Sequence, residues 1–302
     1  MKKYVYLGPE GTFTEQALLS LTEASEVKRT PLASVTLALD AVIVGDADAA
    51  MVPIENSVEG GVNATLDAIA AVDGLRILRE VLVQVRFSLV TAKDIKLEDV
   101  KTIATHGHAW AQCRAWVETS GLKVDYLPAA STAAAAASLT KDSEIDAAIC
   151  SPQFAKDLGL KELATDIGEH QHAITRFVLI GKSDIASEIT GHDKTTIVVP
   201  LPTDHPGALM ELLTIFASRG INLTRLESRP QGDKLGRYSF SIDAEGHYKQ
   251  ARMADALQAA YRLSQETKFI GSYPRASKDE VKTANHHLDV AYTKANQWYE
   301  QL

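Results

Sequence analysis

Three consecutive polar residues stand directly after an apolar, β-branched run in the first third of the chain. Glu55, Asn56 and Ser57 follow the segment MVPI, and two glycines come shortly after them. A simple turn does not require so many hydrogen-bond donors and acceptors. We therefore expect these three side chains to line a ligand at the end of a strand.

A second polar pair opens the apolar segment that runs from His172 to Gly181, which has the β-branched composition of a buried strand. Successive side chains on a strand point to opposite faces, so Thr175 and Phe177 should share one face and Arg176 the other. If Thr175 faces a cleft, the strand delivers a hydroxyl there. Arg176 would then support the site from behind by pairing with a backbone group or a carboxylate.

The segment GPEGTFTEQ shows the spacing of a helix start. Thr12 and Glu15 have the spacing of a capping box, which satisfies backbone N–H groups at a helix N-terminus. Gly11 has no side chain, so a ligand could approach the backbone there. A helix N-terminus also carries about half a positive charge, which attracts carboxylates.

His106 and His108 lie at another strand-to-helix corner, in the segment THGHAWAQC. Two histidines at this spacing, with no cysteine or carboxylate beside them, form a weak zinc signal. Hydrogen bonding to an anion or to a leaving group is the better interpretation. The chain also lacks the glycine-rich and Cys-x-x-Cys motifs of nucleotide and metal sites, so we expect no cofactor and no metal.

Composition narrows the class of protein. The 302 residues carry a net charge of −8, which does not favour nucleic acid as a partner. No apolar run is long enough to cross a membrane or to act as a signal peptide. The two cysteines, Cys113 and Cys150, have no ligand partners at metal spacing and are expected to be buried thiols. These features predict a cytoplasmic protein.

Residues 1–182 alternate short β-rich runs with helical patterns, which predicts an α/β domain with a mainly parallel sheet. The segments Asp48–Asn56 and Asp146–Phe154 share a pattern of Asp-Ala-Ala, two apolar residues and a proline-containing turn. Either this is coincidence in an alanine-rich chain, or each segment is the same strand-to-helix corner in two related lobes. Ligand would then lie in the cleft between the lobes.

Composition changes after residue 182. Residues 183–194 are polar and are interpreted as a linker, and residues 195–275 follow the order βαββαβ of a ferredoxin-like unit, with a turn at Gly232–Gly236. Residues 276–302 are predicted to be a polar helical tail. Alanine-rich residues 131–140 are predicted to be a helix that Ser131 caps.

Taken together, the ordered segments YLGPEGTFTEQA, VPIENSVEGGV, THGHAWAQC and TRF resemble the prephenate dehydratase family, whose members make phenylpyruvate on the route to phenylalanine. The segments GAL and NLTRLESRP resemble an ACT domain, a regulatory module that binds amino acids. The resemblance covers residues 3–275 and implies a two-lobed dehydratase domain similar to periplasmic binding proteins, followed by a ferredoxin-like ACT domain. No chorismate mutase segment precedes the first motif, so a monofunctional enzyme is expected.

The resemblance also implies roles for individual residues. The essential threonine of the family falls on Thr175, which we expect at the leaving hydroxyl of prephenate, while either Glu55 or His106 supplies the proton. Residues expected to contact the substrate are Gly11, Thr12, Asn56, Ser57, His108, Arg176 and Phe177. The chain departs from the family at His106-Gly107-His108, where His-Pro-Gln is common, and at Ala173, where asparagine is frequent before Thr-Arg-Phe.

The ACT resemblance implies that L-phenylalanine binds at a subunit interface of a homodimer or homotetramer. Residues expected near this effector are Gly207, Ala208, Leu209, Leu223, Thr224, Glu227 and Ser228. Two alternatives stay open. One is arogenate dehydratase, which performs the same chemistry on a substrate with an amino group in place of the keto group. The other is a non-catalytic protein that senses amino acids.

Overall fold

The structure is a computed structural model that describes residues 1–21, 26–182, 187–203, 205–231, 237–277, 279 and 282–302. Its strands, in chain order, are β1 (Lys2–Leu7), β2 (Val27–Leu32), β3 (Ala49–Asn56), β4 (Gly60–Gly61), β5 (Leu75–Gln84), β6 (Ser88–Thr91), β7 (Thr102–Thr105), β8 (Asp125–Pro128), β9 (Ala147–Cys150), β10 (Lys161–Ala164), β11 (Ile174–Lys182), β12 (Asp193–Pro200), β13 (Leu223–Pro230), β14 (Tyr238–Glu245) and β15 (Lys268–Pro274).

The α-helices are α1 (Phe13–Leu21), α2 (Val35–Val44), α3 (Asn63–Ala71), α4 (Gly107–Thr119), α5 (Thr132–Ala137), α6 (Pro152–Asp157), α7 (Ala208–Ala217), α8 (Ala251–Leu263) and α9 (Asp289–Tyr299). The chain divides into two compact units. Unit 1 contains Met1–Ala41, Ala50–Val62 and Val81–Phe177, and unit 2 contains Val42–Ala49, Asn63–Glu80 and Val178–Leu302. In the described part of the chain, no helix combines the length and the apolar character needed to cross a membrane.

The α/β fold class is confirmed, but its sheets are mixed rather than mainly parallel. The first sheet has the strand order β2-β1-β3-β11-β5, and β4 is paired to β3. In this sheet β1 and β2 are parallel, whereas β3 and β4 are antiparallel. The second sheet has the order β10-β6-β9-β7-β8 and combines parallel β7–β8 and β7–β9 pairs with antiparallel β6–β9 and β10–β6 pairs. Strand direction depends on pairing partners distant in sequence, which an alternation of local patterns does not specify.

The second sheet packs against α4 through small and branched side chains. Ala109, Cys113 and Val117 recur every four residues along α4, so they form one buried stripe of that helix. They pack in a cluster with Ile103 and Ile149 from the sheet. Burial raises the pKa of the Cys113 thiol to about 12, which keeps this side chain neutral and apolar in character.

The two similar Asp-Ala-Ala segments do not form the same corner. β3 continues through Pro53 to Asn56 and then turns into the β4 hairpin, where Gly60 has a φ of +83°. β9 instead ends at Cys150, and the Ser151 side chain caps α6 by accepting a hydrogen bond from the N–H of Phe154. The difference follows from the residues after each proline: the first segment is extended and has glycines for a hairpin, whereas the second has Pro152 at the first position of a helix.

Ser131 caps α5 as predicted, because its hydroxyl accepts a 2.9 Å hydrogen bond from the N–H of Ala134. This bond satisfies one of the backbone donors that are left without partners at a helix N-terminus. The alanine-rich segment is therefore a capped helix rather than a flexible linker.

The third sheet confirms the ferredoxin-like unit. Its elements follow the order β12-α7-β13-β14-α8-β15, and its strands lie in the order β13-β14-β12-β15. Leu212 and Phe216 of α7 are fully buried in its core, whereas Leu209 of the same helix is 36% exposed. The predicted turn at Gly232–Gly236 and residues 183–186 of the predicted linker lie outside the described residues.

The C-terminal tail contributes directly to this unit. Gln250 precedes α8 without making a side-chain cap, and the Asp289 carboxylate at the start of α9 accepts a 2.8 Å hydrogen bond from the N–H of Ala251. A carboxylate at this position also interacts favourably with the positive end of the helix dipole. The tail thus supplies to α8 the cap that its own sequence lacks.

A buried ion pair within unit 2 joins β5 to the start of the third sheet. The Lys194 Nζ lies 2.9 Å from Oε2 of Glu80, and both side chains are nearly inaccessible to solvent. The other carboxylate oxygen, Oε1, accepts a 2.8 Å hydrogen bond from the N–H of Ala276. The carboxylate is therefore satisfied at both oxygens, which offsets the cost of removing it from water.

We predict that Glu80→Gln destabilises the protein because it removes the carboxylate that pairs with the buried Lys194 ammonium. The expected loss is about 3 kcal/mol in the free energy of unfolding, measured by urea denaturation. Glu118→Gln is the matched control, since Glu118 pairs with Arg114 at the surface and should change stability by less than about 0.5 kcal/mol. Equal effects of the two substitutions would contradict the assignment, and Glu80→Gln with Lys194→Met should recover part of the loss.

Candidate active site

The antiparallel pairing of β3 with β11 assembles the candidate site in unit 1. The Ser57 N–H donates to the Ile174 carbonyl at 2.9 Å, and the Ile174 N–H donates to the Ser57 hydroxyl at 2.9 Å. This register places Asn56 opposite Thr175 and Glu55 opposite Arg176. The two predicted polar segments, more than 100 residues apart in sequence, are therefore direct neighbours.

Thr175 is held in one orientation by Asn56. The Asn56 Oδ1 accepts hydrogen bonds from the N–H groups of Val58 at 2.8 Å and Glu59 at 3.2 Å, so its Nδ2 must be the end that faces Thr175. That Nδ2 donates to Thr175 Oγ1 at 2.7 Å. Because this bond uses Oγ1 as an acceptor, the hydroxyl proton of Thr175 can be donated elsewhere.

Arg176 pairs with a carboxylate on the opposite face, as its position on the strand predicted; its support of the site stays a prediction. Its Nη1 donates to Oε2 of Glu55 at 3.2 Å, and the Arg176 side chain is only 6% exposed while that of Glu55 is 35% exposed. The side chains alternate as a strand requires, so this pair lies on the other face from Asn56 and Thr175. Phe177, expected to share the Thr175 face, is buried.

The surroundings of Gly11 differ from our expectation that a ligand approaches the backbone there. A side chain at this position would meet the Phe154 ring within 2.1 Å, so Phe154 occupies the space where we expected ligand. The Gly11 N–H donates to Oε2 of Glu15 at 2.7 Å. The predicted capping box is thus shifted by one residue, because the Glu15 carboxylate reaches Gly11 rather than Thr12.

Thr12 acts as a helix cap. Its hydroxyl accepts a hydrogen bond from the N–H of Glu15 at 3.4 Å and donates to the carbonyl of Pro9 at 3.0 Å. Both contacts hold the turn before α1, so the hydroxyl has a structural role in this structure. Its predicted contact with substrate stays a prediction.

His106 and His108 stack at the start of α4, with ring centroids 5.1 Å apart. The His106 Nδ1 accepts a hydrogen bond from the N–H of His108 at 3.4 Å, which makes His106 the cap of α4. Burial, and then the neighbouring His108, lower the pKa of His106, so its neutral form is favoured near neutral pH. Among the described residues, no group of three side chains is placed to hold a metal ion.

Glu59 is a member of the site that the sequence patterns did not identify. Its Oε1 lies 2.8 Å from the Nδ1 of His108 and 3.4 Å from the Nε2 of Gln112. His108 and Gln112 are four residues apart and share one face of α4. A helical pairing of positions 108 and 112 was readable from the sequence, but their contact with residue 59 depends on tertiary structure.

The predicted effector residues in unit 2 fall into two groups. Gly207, Ala208 and Leu209 line a cavity of about 190 Å³ at the N-terminus of α7, where Gly207 is the cap residue with a φ of +94°. The other side of this cavity includes Tyr238 and Phe240 of β14. The second group, Leu223, Thr224, Glu227 and Ser228, lies along β13, the edge strand of the third sheet, and is not among the described residues that line the cavity.

Comparison with known proteins agrees with this arrangement. Residues 4–185 match the sequence model of the prephenate dehydratase family, and residues 195–260 match that of the ACT domain. A prephenate dehydratase from Amycolatopsis methanolica is 43% identical over 299 residues, which cover 99% of this chain and 97% of that protein.

Two solved structures extend the comparison. A prephenate dehydratase from Arthrobacter aurescens, solved in complex with L-Phe, is 53% identical with a TM-score of 0.93 and covers 99% of this chain and 98% of its own. The prephenate dehydratase from Staphylococcus aureus is 27% identical with a TM-score of 0.76 and covers 90% of this chain and 100% of its own. The chain belongs to the prephenate dehydratase family and carries an ACT domain after its dehydratase segment.

Proposed function

We propose that this protein converts prephenate to phenylpyruvate by decarboxylating dehydration, and that L-phenylalanine regulates it through the ACT domain. The observation that carries the first part is the Asn56–Thr175 hydrogen bond, which leaves the Thr175 proton available to a substrate. The second part is supported by the cavity at Gly207–Leu209 and by the L-Phe complex of the Arthrobacter relative.

The chemistry requires a leaving group to be stabilised. The bond from the ring to its carboxylate breaks, the electron pair enters the ring, and the ring hydroxyl leaves, so the products are phenylpyruvate, carbon dioxide and water. A threonine hydroxyl is a poor acid, so Thr175 is proposed to donate a hydrogen bond to the departing oxygen rather than to release its proton. Such a contact strengthens as negative charge develops on that oxygen.

The proton that completes the water molecule comes from a second group. Glu55 is bound to Arg176 on the face opposite to Thr175, and burial lowers the pKa of His106, so the structure favours neither of the two expected sources. Asn56, Ser57 and His108 are proposed to bind the substrate, and Glu55, Arg176 and Phe177 to hold β3 and β11 in place. Thr12 is proposed to bind from the start of α1. Gly11, whose neighbours include Glu15 and Phe154, is proposed to serve packing instead.

Other parts of the proposal concern organisation. We propose the boundaries 1–182 for the dehydratase domain, 195–275 for the ACT domain, and 183–194 for the linker between them. We also propose a cytoplasmic homodimer or homotetramer. The buried free thiols support the cytoplasmic location. The exposed edge strand β13, on which Leu226 is 39% exposed, supports the formation of an oligomer.

We predict that Thr175→Val lowers kcat for prephenate by roughly 10²–10⁴-fold, because valine has the same shape but no hydroxyl. Phenylpyruvate formation followed by absorbance is the measurement, and Thr175→Ser should retain part of the activity. Thr293→Val, on the exposed face of α9, is the matched control. Near-normal turnover by a folded Thr175→Val protein would contradict the role of the hydroxyl.

The same assay on the parent protein separates the alternative functions. Turnover of arogenate but not of prephenate would support arogenate dehydratase, and turnover of neither would favour the sensor alternative.

We predict that Asn56→Asp lowers kcat by roughly 10²-fold although the two side chains have nearly the same shape. Aspartate cannot donate a hydrogen bond to Thr175, so the threonine must donate its own proton to the carboxylate. Steady-state kinetics with circular dichroism as a control for folding measure the effect. An active Asn56→Asp enzyme would show that the direction of this hydrogen bond does not matter.

We predict that L-phenylalanine changes the rate of prephenate turnover and that Leu209→Ala shifts the response to roughly three- to tenfold higher phenylalanine. The reason is the loss of apolar surface from the cavity beside Gly207. Leu19→Ala is the control, because Leu19 is similarly exposed and lies on α1. Identical responses of the two variants would place the effector elsewhere.

A further inference from the structure

A buried histidine connects the linker to the third sheet within unit 2. His247 lies in the turn between β14 and α8, and its side chain is inaccessible to solvent. Its Nε2 lies 2.8 Å from the Ser187 hydroxyl, and that hydroxyl donates to the Ser272 carbonyl of β15 at 2.6 Å. Ser187 is therefore held against the sheet by groups from two different parts of the ferredoxin-like unit.

The hydrogen bonds around His247 admit one protonation state. The Lys249 N–H donates to Nδ1 at 3.2 Å, so this nitrogen carries no proton. Because the Ser187 hydroxyl donates its only proton to the Ser272 carbonyl, it accepts a hydrogen bond from Nε2–H. The ring is therefore neutral, and a proton added at Nδ1 would point at the Lys249 N–H and break that hydrogen bond.

The surroundings of His247 also oppose a positive charge. Burial, the largest effect, lowers the pKa of His247, and the smaller upward effect of Asp193 does not offset it. The Lys249 ammonium adds to the lowering. The Asp193 carboxylate is directed to the linker, where it accepts hydrogen bonds from the Thr190 N–H at 2.8 Å and the Gly191 N–H at 3.2 Å.

The other elements packed around His247 present hydroxyl and aromatic groups. The Tyr248 ring lies 4.7 Å from the imidazole, and the Tyr248 N–H donates to the Ser272 hydroxyl at 3.2 Å. The Thr195 hydroxyl of β12 donates to the Gly246 carbonyl at 2.8 Å. These contacts satisfy the turn without supplying a counter-charge to the ring.

Ser187 lies where the chain from β11 reaches the ferredoxin-like unit. β11 carries Thr175 and ends at Lys182, and Ser187 follows a few residues later. The contact between Ser187 and His247 therefore sets the point at which the chain that leaves β11 is attached to the third sheet.

We propose that His247 is a pH-sensitive latch that ties Ser187 to the third sheet and releases it in acid. Protonation breaks the Lys249 hydrogen bond and places a charge in a buried site, so it favours a locally open state in which the imidazole is solvated. Because the open state binds the proton more tightly, the latch is closed above about pH 6.5, the ordinary pKa of histidine, and opens progressively as pH falls below it.

Hydrogen exchange of the Tyr248 and Lys249 amides tests the latch, because both N–H groups donate within the closed turn. After correction for the intrinsic pH dependence of exchange, their protection should fall roughly five- to tenfold between about pH 7.5 and about pH 5.5. His247→Gln has no titratable group at this position and should remove the pH dependence. His192→Gln is the matched control, since His192 is a partly exposed histidine of the same linker and its loss should leave the pH dependence unchanged.

Titration of the imidazole by NMR decides the outcome if His247→Gln does not fold. In the parent protein, the His247 ring should keep its proton on Nε2 alone until the pH falls clearly below about 6.5. An ordinary titration near that pH, or amide protection that stays constant down to about pH 5.5, would overturn the latch.

The consequence for regulation rests on the proposed function. Opening the latch loosens the attachment of the ACT sheet to the chain from β11, so the effect of L-phenylalanine on prephenate turnover should be largely lost near pH 5.5 in the parent but retained in His247→Gln. An effect that persists in the parent while its amides lose protection would overturn this regulatory role. A parent that turns over prephenate without any response to L-phenylalanine would overturn the proposed regulation and leave the latch intact.

Discussion

The site depends on the antiparallel register between β3 and β11. Two hydrogen bonds between Ser57 and Ile174 fix this register. The residues before Ser57 then meet the residues after Ile174 as cross-strand pairs, Asn56 with Thr175 and Glu55 with Arg176. A slip by one residue would turn each side chain to the other face, so the hydroxyl would lose its amide partner and the guanidinium its carboxylate. The Arg176 guanidinium is buried, so a slip that separated it from the Glu55 carboxylate would be costly.

Local sequence patterns predicted where the residues of this site lie on their strands and helices better than they predicted which residues contact one another. The structure confirms that Thr175 lies at the start of a buried strand and that Arg176 points to the opposite face, as the alternation of side chains along a strand predicts. It also confirms the cap at Ser131, which the chemistry of helix N-termini predicts. The similar Asp-Ala-Ala segments left two alternatives open because the same three residues can precede a hairpin or a helix. What decides the outcome is the glycine-containing turn in one segment and the serine-proline helix start in the other.

Contacts between distant parts of the chain were beyond reach of the sequence. Glu59 looks like one more polar residue in a turn, and only folding brings it to His108 and Gln112. The cap of α8 comes from Asp289, 38 residues further along the chain, so no local motif could reveal it. Lys194 and Glu80 likewise lie 114 residues apart and still form a buried pair within unit 2. In each case a polar group is satisfied by a partner whose proximity is a product of the fold.

Gly11 shows how one missing side chain can allow two sheets to approach each other. Gly11 belongs to the turn after the first strand of one sheet, and Phe154 belongs to the short helix that follows a strand of the other sheet. The aromatic ring rests where a β-carbon would be, so any larger residue at position 11 would act as a wedge between the two sheets of unit 1. The glycine therefore defines their distance of closest approach. This limit is steric and does not involve the polar groups that would bind the substrate.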